Sequence, residues 1–341
     1  MRHSVFRSCL LVLLVATFAL GAGNILPALA QTTTVYVNDD WAGMTVGEDP
    51  DGTGPALVFG TDAFATIQAG VDAVAAGGTV NVAAGTYLEA VTVSKSLVLQ
   101  GASRSAVVIG PAAADAGNGY DATDGTPQNG IVISASNVTV KDLTIDGQAN
   151  TALTGNNFRH GIYHYVSPSP NLTDILIQDV NVYHTLRRGI SIGLTNNPMT
   201  VTGCLVDDVT YMHGIRVDSA KAVITNNTVR GAALGISVGP QSSNPDAAAT
   251  TVITGNTVVD FGHLYDANVY GNVAIYYRNP NDDRKVIIED NTITAAAVAN
   301  TAGGMYLDNT NAESVIEGNT IDLSGSSYTK ETGYWDYPYG S

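Results

Sequence analysis

Basic side chains, cysteine, aromatic residues and long apolar runs are all scarce in this chain, and each scarcity removes a class of protein. Lysine and arginine number 15 against 31 aspartate and glutamate, a formal charge of −16 that makes nucleic acid and anionic lipid unsuitable partners. Of the two cysteines, Cys9 falls in an amino-terminal leader and Cys204 remains alone, so an internal disulfide is excluded. Aromatics are only 7% of residues, whereas glycine reaches 36 and Val, Ile, Thr and Asn recur, a composition suited to short strands and tight turns. One long apolar run exists, Cys9 to Gly21, preceded by Arg2 and Arg7 and followed by Ala28-Leu29-Ala30 before Gln31. Basic start, apolar middle and small-residue end are the three parts of a secretory signal peptide. The run is shorter than the roughly 20 residues a bilayer requires, and Pro27 closes it. The expected mature chain therefore starts near Gln31, has no membrane span, and works outside the cell, at its surface or in a periplasm. It holds 13 basic against 31 acidic side chains, a net charge of −18.

What is abundant is repetition. Gly130-Ile131-Val132-Ile133, Gly161-Ile162-Tyr163-His164, Gly189-Ile190-Ser191-Ile192, Gly214-Ile215-Arg216-Val217, Gly235-Ile236-Ser237-Val238 and Gly304-Met305-Tyr306-Leu307 share one strand pattern, with Ala274-Ile275-Tyr276-Tyr277 a looser copy. Successive starts are separated by 21 residues, from Gly214 to Gly235, up to about 40, enough for two or three short strands and variable loops. A second pattern ends in Asn-Thr-apolar and places Asn227, Asn256, Asn291 and Asn319 in one column, with Leu143, Val180 and Cys204 at the same column in earlier units. Asn amides stacked at an inward turn satisfy one another. A single unit cannot bury its apolar side, so units must stack into a solenoid with strands about 4.8 Å apart. Phe64, Ile67, Val71 and Val74 have helical spacing after the capping candidates Thr61 and Asp62, which predicts a helix closing the amino-terminal end.

With Phe64-Ala65-Thr66-Ile67-Gln68, Gly85-Thr86-Tyr87-Leu88-Glu89 and the Asn column in view, residues 64–321 resemble the pectin-lyase-like superfamily. The resemblance implies an all-β, right-handed parallel β-helix with an amino-terminal cap helix. It also implies an acidic polysaccharide or cell-surface glycan as partner. The expected organisation is a signal peptide at 1–30, cap and first coils at 31–115, β-helix coils at 116–323, and a carboxy-terminal cap or linker tail at 324–341. The chain could also be part of a longer surface protein. Catalytic signatures of the enzyme families are missing: neither Asp-Phe-Ile-Phe-Gly nor Leu-Gly-Arg-Pro-Trp of the pectinesterases occurs, nor the Arg-x-Pro-x-x-Arg of pectate lyases. Of the polygalacturonase set only Asp207-Asp208 is present, with His213-Gly214 a partial echo. A copper-delivery role, known in some β-helix relatives, lacks a Met or Cys ligand cluster.

Function must then be sought in the distribution of charge. Residues 155–217 hold His160, His164, His184 and His213, with Arg159, Arg187, Arg188 and Arg216 matching Asp174, Asp179, Asp207 and Asp208. The segment is formally neutral while the rest carries the whole negative charge. Ile215 and Val217 point inward, so Arg216 projects outward with Tyr163, Ser191, Ser237, Tyr276 and Tyr306 in a stripe. His160, Arg188 and His213, each before a Gly, form a second column whose direction a turn leaves open.

In lyase or epimerase chemistry, an Arg or Ca²⁺ neutralises a uronate carboxylate and a base removes the sugar C5 proton. Arg188 and Arg216 are the candidate clamps and His213 or His184 the candidate base, with Asp207 and Asp208 the carboxylates expected to face the cations. Arg159, His160, Tyr163, Arg187, Tyr276 and Tyr306 are candidate substrate contacts. Hydrolysis is disfavoured, because adjacent Asp207 and Asp208 would point to opposite sides of a strand. Outward Arg and Tyr can equally be solvated strand positions, and the competing reading is a non-catalytic structural or adhesion module. Asp49 and Asp51, in an Asp-Pro-Asp-Gly-Thr-Gly turn, are weak candidates for calcium, the one cofactor considered; a plain acidic turn is the simpler reading. Cys204 is expected to be a buried, inert thiol.

Overall fold

The computed structural model describes residues 32–54, 56–114, 128–164, 172–195, 198–219, 221–239, 249–262, 273–278, 284–295, 303–308 and 313–324, together with the backbone of 332–337. The leader at 1–30, His263 and the side chains of the aromatic tail, Tyr328 to Tyr339, lie outside the described residues. Within 31–341 every strand pairing is parallel, and the pairings arrange the strands into three faces of a solenoid. Among the described residues no helix is long and apolar enough to cross a membrane.

Face 1 is an 11-stranded sheet. Faces 2 and 3 form a 17-stranded sheet because one strand, Asn181–Thr195, runs from face 2 into face 3, turning at His184 in the left-handed region (φ 55°). Each coil visits face 1, face 2 and face 3 in order: Met199–Thr202, Leu205–Val209 and His213–Ser219 make one coil, and Ala222–Thr225, Thr228–Arg230 and Leu234–Val238 the next. The inward residues Val201, Ile224, Ile253 and Ile288 of face 1 and Ile190, Ile215, Ile236 and Ile275 of face 3 are almost wholly buried in one continuous core.

Two corner chemistries set the coil shape. Between faces 1 and 2, Asp142, Asp179, Gly203, Asn226, Gly255, Asp290 and Gly318 all take positive φ, and the next residue turns inward. That inward column is Leu143, Val180, Cys204, Asn227, Asn256, Asn291 and Asn319. Asn227 Nδ2 donates to Asn256 Oδ1 (3.0 Å) and to Val201 O (2.9 Å), and the Asn256 oxygen also accepts the Asn227 N–H. The pattern repeats from Asn256 to Asn291 and from Asn291 to Asn319. Cys204 ends the ladder, its N–H donating to Asn227 Oδ1, and burial pushes its thiol up to about 12.

The repeated glycine before face 3 is a packing requirement. A Cβ at Gly189 would overlap Val206 and lie 2.8 Å from Gly214 O, and one at Gly214 would overlap Val229 and lie 3.0 Å from Gly235 O. Each glycine thus lets the next coil close upon it.

At the amino-terminal end the helix runs Ile67–Ala73, shorter than the spacing predicts, because Phe64 joins a two-residue strand, Ala63–Phe64, on face 1. Its cap is Thr66, not Thr61 or Asp62; Asp62 instead accepts the Val58 N–H (2.6 Å). Glu89 completes the cap from the next coil, accepting the N–H groups of Ile67 (2.7 Å) and Gln68 (2.9 Å). The Phe64–Gln68 and Gly85–Glu89 motifs are therefore two halves of one closure. At the far end the backbone of Thr332–Tyr337 adds a strand to face 3 beside Gly303–Asp308, so this part of the tail continues the solenoid.

Candidate functional site

Face 3 brings His160, His213, Arg188 and Arg216 onto neighbouring strands. Tyr163, Ser191, Arg216, Ser237, Tyr276 and Tyr306 stand in direct register on successive strands, as the alternation requires. The stripe is not evenly open: Ser191 and Ser237 are buried, while Tyr163, Arg216, Tyr276 and Tyr306 are partly exposed. Asn129, His160, Arg188, His213 and Leu234 form a second registered column. Its direction is settled at His160, whose ring stacks on Tyr163 at 4.4 Å between centroids and 7° between planes.

This second column is buried and poorly satisfied. His160 is 3% exposed and His213 7%, yet the Nδ1 atoms of both have no hydrogen-bond partner, and neither does Arg188 Nε or Asn129 Oδ1. Burial first, then Arg188, drives both imidazoles well below their ordinary range, so they are neutral. Arg187, Arg159 and His213 add to the effect at His160, and Arg216 and Arg187 add to it at His213. Burial and the guanidiniums of Arg216 and Arg187 also lower Arg188, to about 10. Arg188 is thus a cation set between two neutral rings and crowded by like charge.

Arg216 differs from Arg188 in having a permanent partner. Its Nη2 and Nε lie 2.7 and 2.9 Å from Asp218 Oδ2, and Asp218 is 4% exposed. Asp218 is the carboxylate brought to this cluster, in place of Asp207 and Asp208. Sequence reasoning passed over it, although Arg216-Val217-Asp218 places both charged residues on one side by the same alternation that placed Arg216. Arg187 lies beside the cluster with its Nε donating to Met212 Sδ (3.2 Å).

Four expected residues sit elsewhere. Asp207 is on face 2 and pairs with Arg230, whose Nε donates at 2.9 Å, while Asp208 occupies the left-handed corner that follows (φ 57°). The corner turns both away from face 3. His184 sits at the equivalent corner one coil earlier, with Nδ1 2.7 Å from Asp146 Oδ1, and is held there rather than beside Arg188. Arg159 is 2% exposed and so presents almost no surface to a ligand. The Tyr276 and Tyr306 rings stack on each other at 5.0 Å and 9°, further along the stripe from Arg216.

Asp49 and Asp51 each bond within their own turn. Asp49 Oδ1 accepts the N–H of Gly52 (3.1 Å) and Asp51 Oδ1 that of Thr53 (3.2 Å), so the carboxylates serve their own turn. Asp39 is likewise committed, with Oδ2 accepting the Thr86 N–H (2.9 Å). Among the described residues no group of three or more His, Cys, Asp or Glu is placed to hold a metal ion.

Solved structures similar to this chain include three carbohydrate enzymes. Pectin methylesterase from carrot is 12% identical with a TM-score of 0.42, covering 89% of this chain and 88% of that one. Pectin methylesterase PemA from Erwinia chrysanthemi is 17% identical with a TM-score of 0.38, covering 90% and 94%. The A-module of the mannuronan C-5 epimerase AlgE4 from Azotobacter vinelandii is 18% identical with a TM-score of 0.39, covering 89% and 91%. No curated protein matches the chain. The parallel three-faced coils, the inward Asn ladder and the glycine column coincide with a match of residues 124–327, more than half of the sequence, to the family described as the right handed beta helix region. The chain belongs to that family.

Proposed function

We propose that this chain is an exported carbohydrate-active β-helix that takes an acidic polysaccharide along face 3. The observation that carries the reading is Arg188: a half-buried guanidinium whose Nε has no hydrogen-bond partner, set between two neutral imidazoles and beside the Arg216–Asp218 pair. A uronate carboxylate supplies the charge this arrangement lacks, and an arginine fork accepts it in two-point fashion. Tyr163, Tyr276 and Tyr306 offer ring faces and hydroxyls to sugar units on either side.

The reaction that fits is removal of the uronate C5 proton. Arg188 neutralises the carboxylate, which lowers the barrier to negative charge at C5, and the neutral His213 imidazole accepts the proton. In β-elimination the electron pair left at C5 forms the C4–C5 double bond as the C4–O4 bond breaks, and O4 leaves with a proton from solvent. In epimerisation the same carbon regains a proton on its opposite side. Arg216, already paired with Asp218, fixes the substrate's orientation; His160, stacked on Tyr163, walls the site.

The test is incubation of the secreted protein with polygalacturonate, alginate and glucuronate polymers, following ultraviolet absorbance of unsaturated uronate and, separately, deuterium incorporation at C5. Absorbance or exchange that disappears in His213→Ala and Arg188→Ala supports the reading. Binding without either signal would make the chain a non-catalytic glycan-binding module, and absence of binding would remove the acidic-polysaccharide assignment.

A further inference from the structure

A second cavity, of ≈ 800 Å³, lies on the outer side of face 1 at the amino-terminal end, whereas the Arg188 column is on face 3. Its size falls in the range of ligand sites, roughly 300–1,000 Å³. The strand Thr34–Val37 buries Val35 and Val37 and so turns Tyr36 outward, where it stays 42% exposed. Tyr36 is in register with Asn81, and Asn81 with Gln100, which lays one aromatic ring and two amides along one wall at about 4.8 Å spacing. Trp41, at the end of the turn Asp39–Trp41, and Asp51 and Asp62 from the loop beyond it complete the polar and aromatic lining.

The chemistry of this lining selects a ligand. Among the described residues no Lys or Arg lines the cavity, and its two carboxylates oppose an anion, so the lining disfavours a uronate, phosphate or sulfate. Asp62 Oδ1 and Asp51 Oδ1 are each fixed by a backbone N–H, at 2.6 and 3.2 Å, leaving the Oδ2 atoms outside those bonds as acceptors. A purely apolar ligand would strand the amides and carboxylates. Aromatic faces for C–H surfaces, with amides and carboxylates for hydroxyl groups, match an uncharged sugar ring. We infer that this cavity binds a unit of a neutral glycan, independently of the face 3 site.

The chain has two tryptophans, Trp41 and Trp335, so Trp335→Phe leaves Trp41 as the only indole reporter. The full chain carrying that change is titrated with cellohexaose, mannohexaose and xylohexaose, and with hexagalacturonate as the acidic comparison. At least one neutral oligomer should change Trp41 emission saturably, while hexagalacturonate leaves it unchanged. Adding Tyr36→Ala, or Gln100→Ala should the first variant fold poorly, should weaken the neutral oligomer by about tenfold or more at an unchanged melting temperature. Saturation by none of the neutral oligomers, equal binding of hexagalacturonate, or undiminished affinity in the folded variants would each overturn the inference.

Discussion

Arg188 Nε makes no hydrogen bond, whereas Arg216 is ion-paired to Asp218, so truncation of Arg188 separates function from stability. Arg188→Ala should lower turnover or oligosaccharide affinity by about 100-fold while the melting temperature holds or rises, because a buried like-charge conflict disappears. Steady-state kinetics beside thermal unfolding checks this, and a parallel fall in both would assign Arg188 to the scaffold. The same crowding fixes a pH dependence. With His213 as the proposed neutral base and its folded-state pKa depressed, the acid limb of kcat/KM should lie below the ordinary histidine value of about 6.5. Removing Arg188 removes the second-largest cause of that depression, and the limb should move upward. Stability has its own sign: His160, His164 and His213 are all depressed on folding, so the unfolded chain binds more protons below about pH 6.5. Their contribution is complete above that value and is lost as pH falls toward the folded-state values. At this scale alternation made Arg216 and its stripe legible, but nothing local distinguishes half-buried Arg188 from the almost wholly buried Arg159, because burial is set by neighbouring coils.

The Asn ladder and the glycine column belong to the element scale, and both were legible because each coil repeats the same contact. Asn256→Ala removes the acceptor of two Asn227 donors and the side-chain donor to Ile224 O, and leaves Asn291 Oδ1 with the backbone N–H of residue 256 in place of two donors. A cost of about 3–5 kcal/mol follows from stranding several buried polar groups at once. Asn319→Ala, at the less buried end of the ladder, should cost clearly less, and chemical denaturation of the two variants orders them. Gly214→Ala drives a methyl into Val229 and should cost about 1–3 kcal/mol or more. The amino-terminal closure was legible only in part. Helical spacing marked the helix, but its cap comes from Glu89, 22 residues on, a long-range pairing that no local capping signal encodes. Corner geometry also escaped the sequence: His184 and Asp208 face away from the Arg188 column because a left-handed corner follows face 2.

Over the whole molecule, a chain of net charge −16 must accept an acidic polymer through a small cationic island. At about 0.01 M salt the Debye length is near 30 Å and the polymer meets the repulsion of the entire surface; at about 0.15 M it is near 8 Å and only the local arginines act. Association with an acidic oligosaccharide should therefore accelerate with moderate salt, opposite in sign to a basic polyanion-binding protein, and stopped-flow rates across ionic strength check it. The most direct test of the account is calorimetric titration of hexagalacturonate and a hexameric alginate fragment into the wild-type chain and Arg188→Ala at matched pH and salt. The account predicts that at least one oligomer binds the wild type and loses about tenfold or more of its affinity in Arg188→Ala. Equal affinity in the two proteins would contradict it.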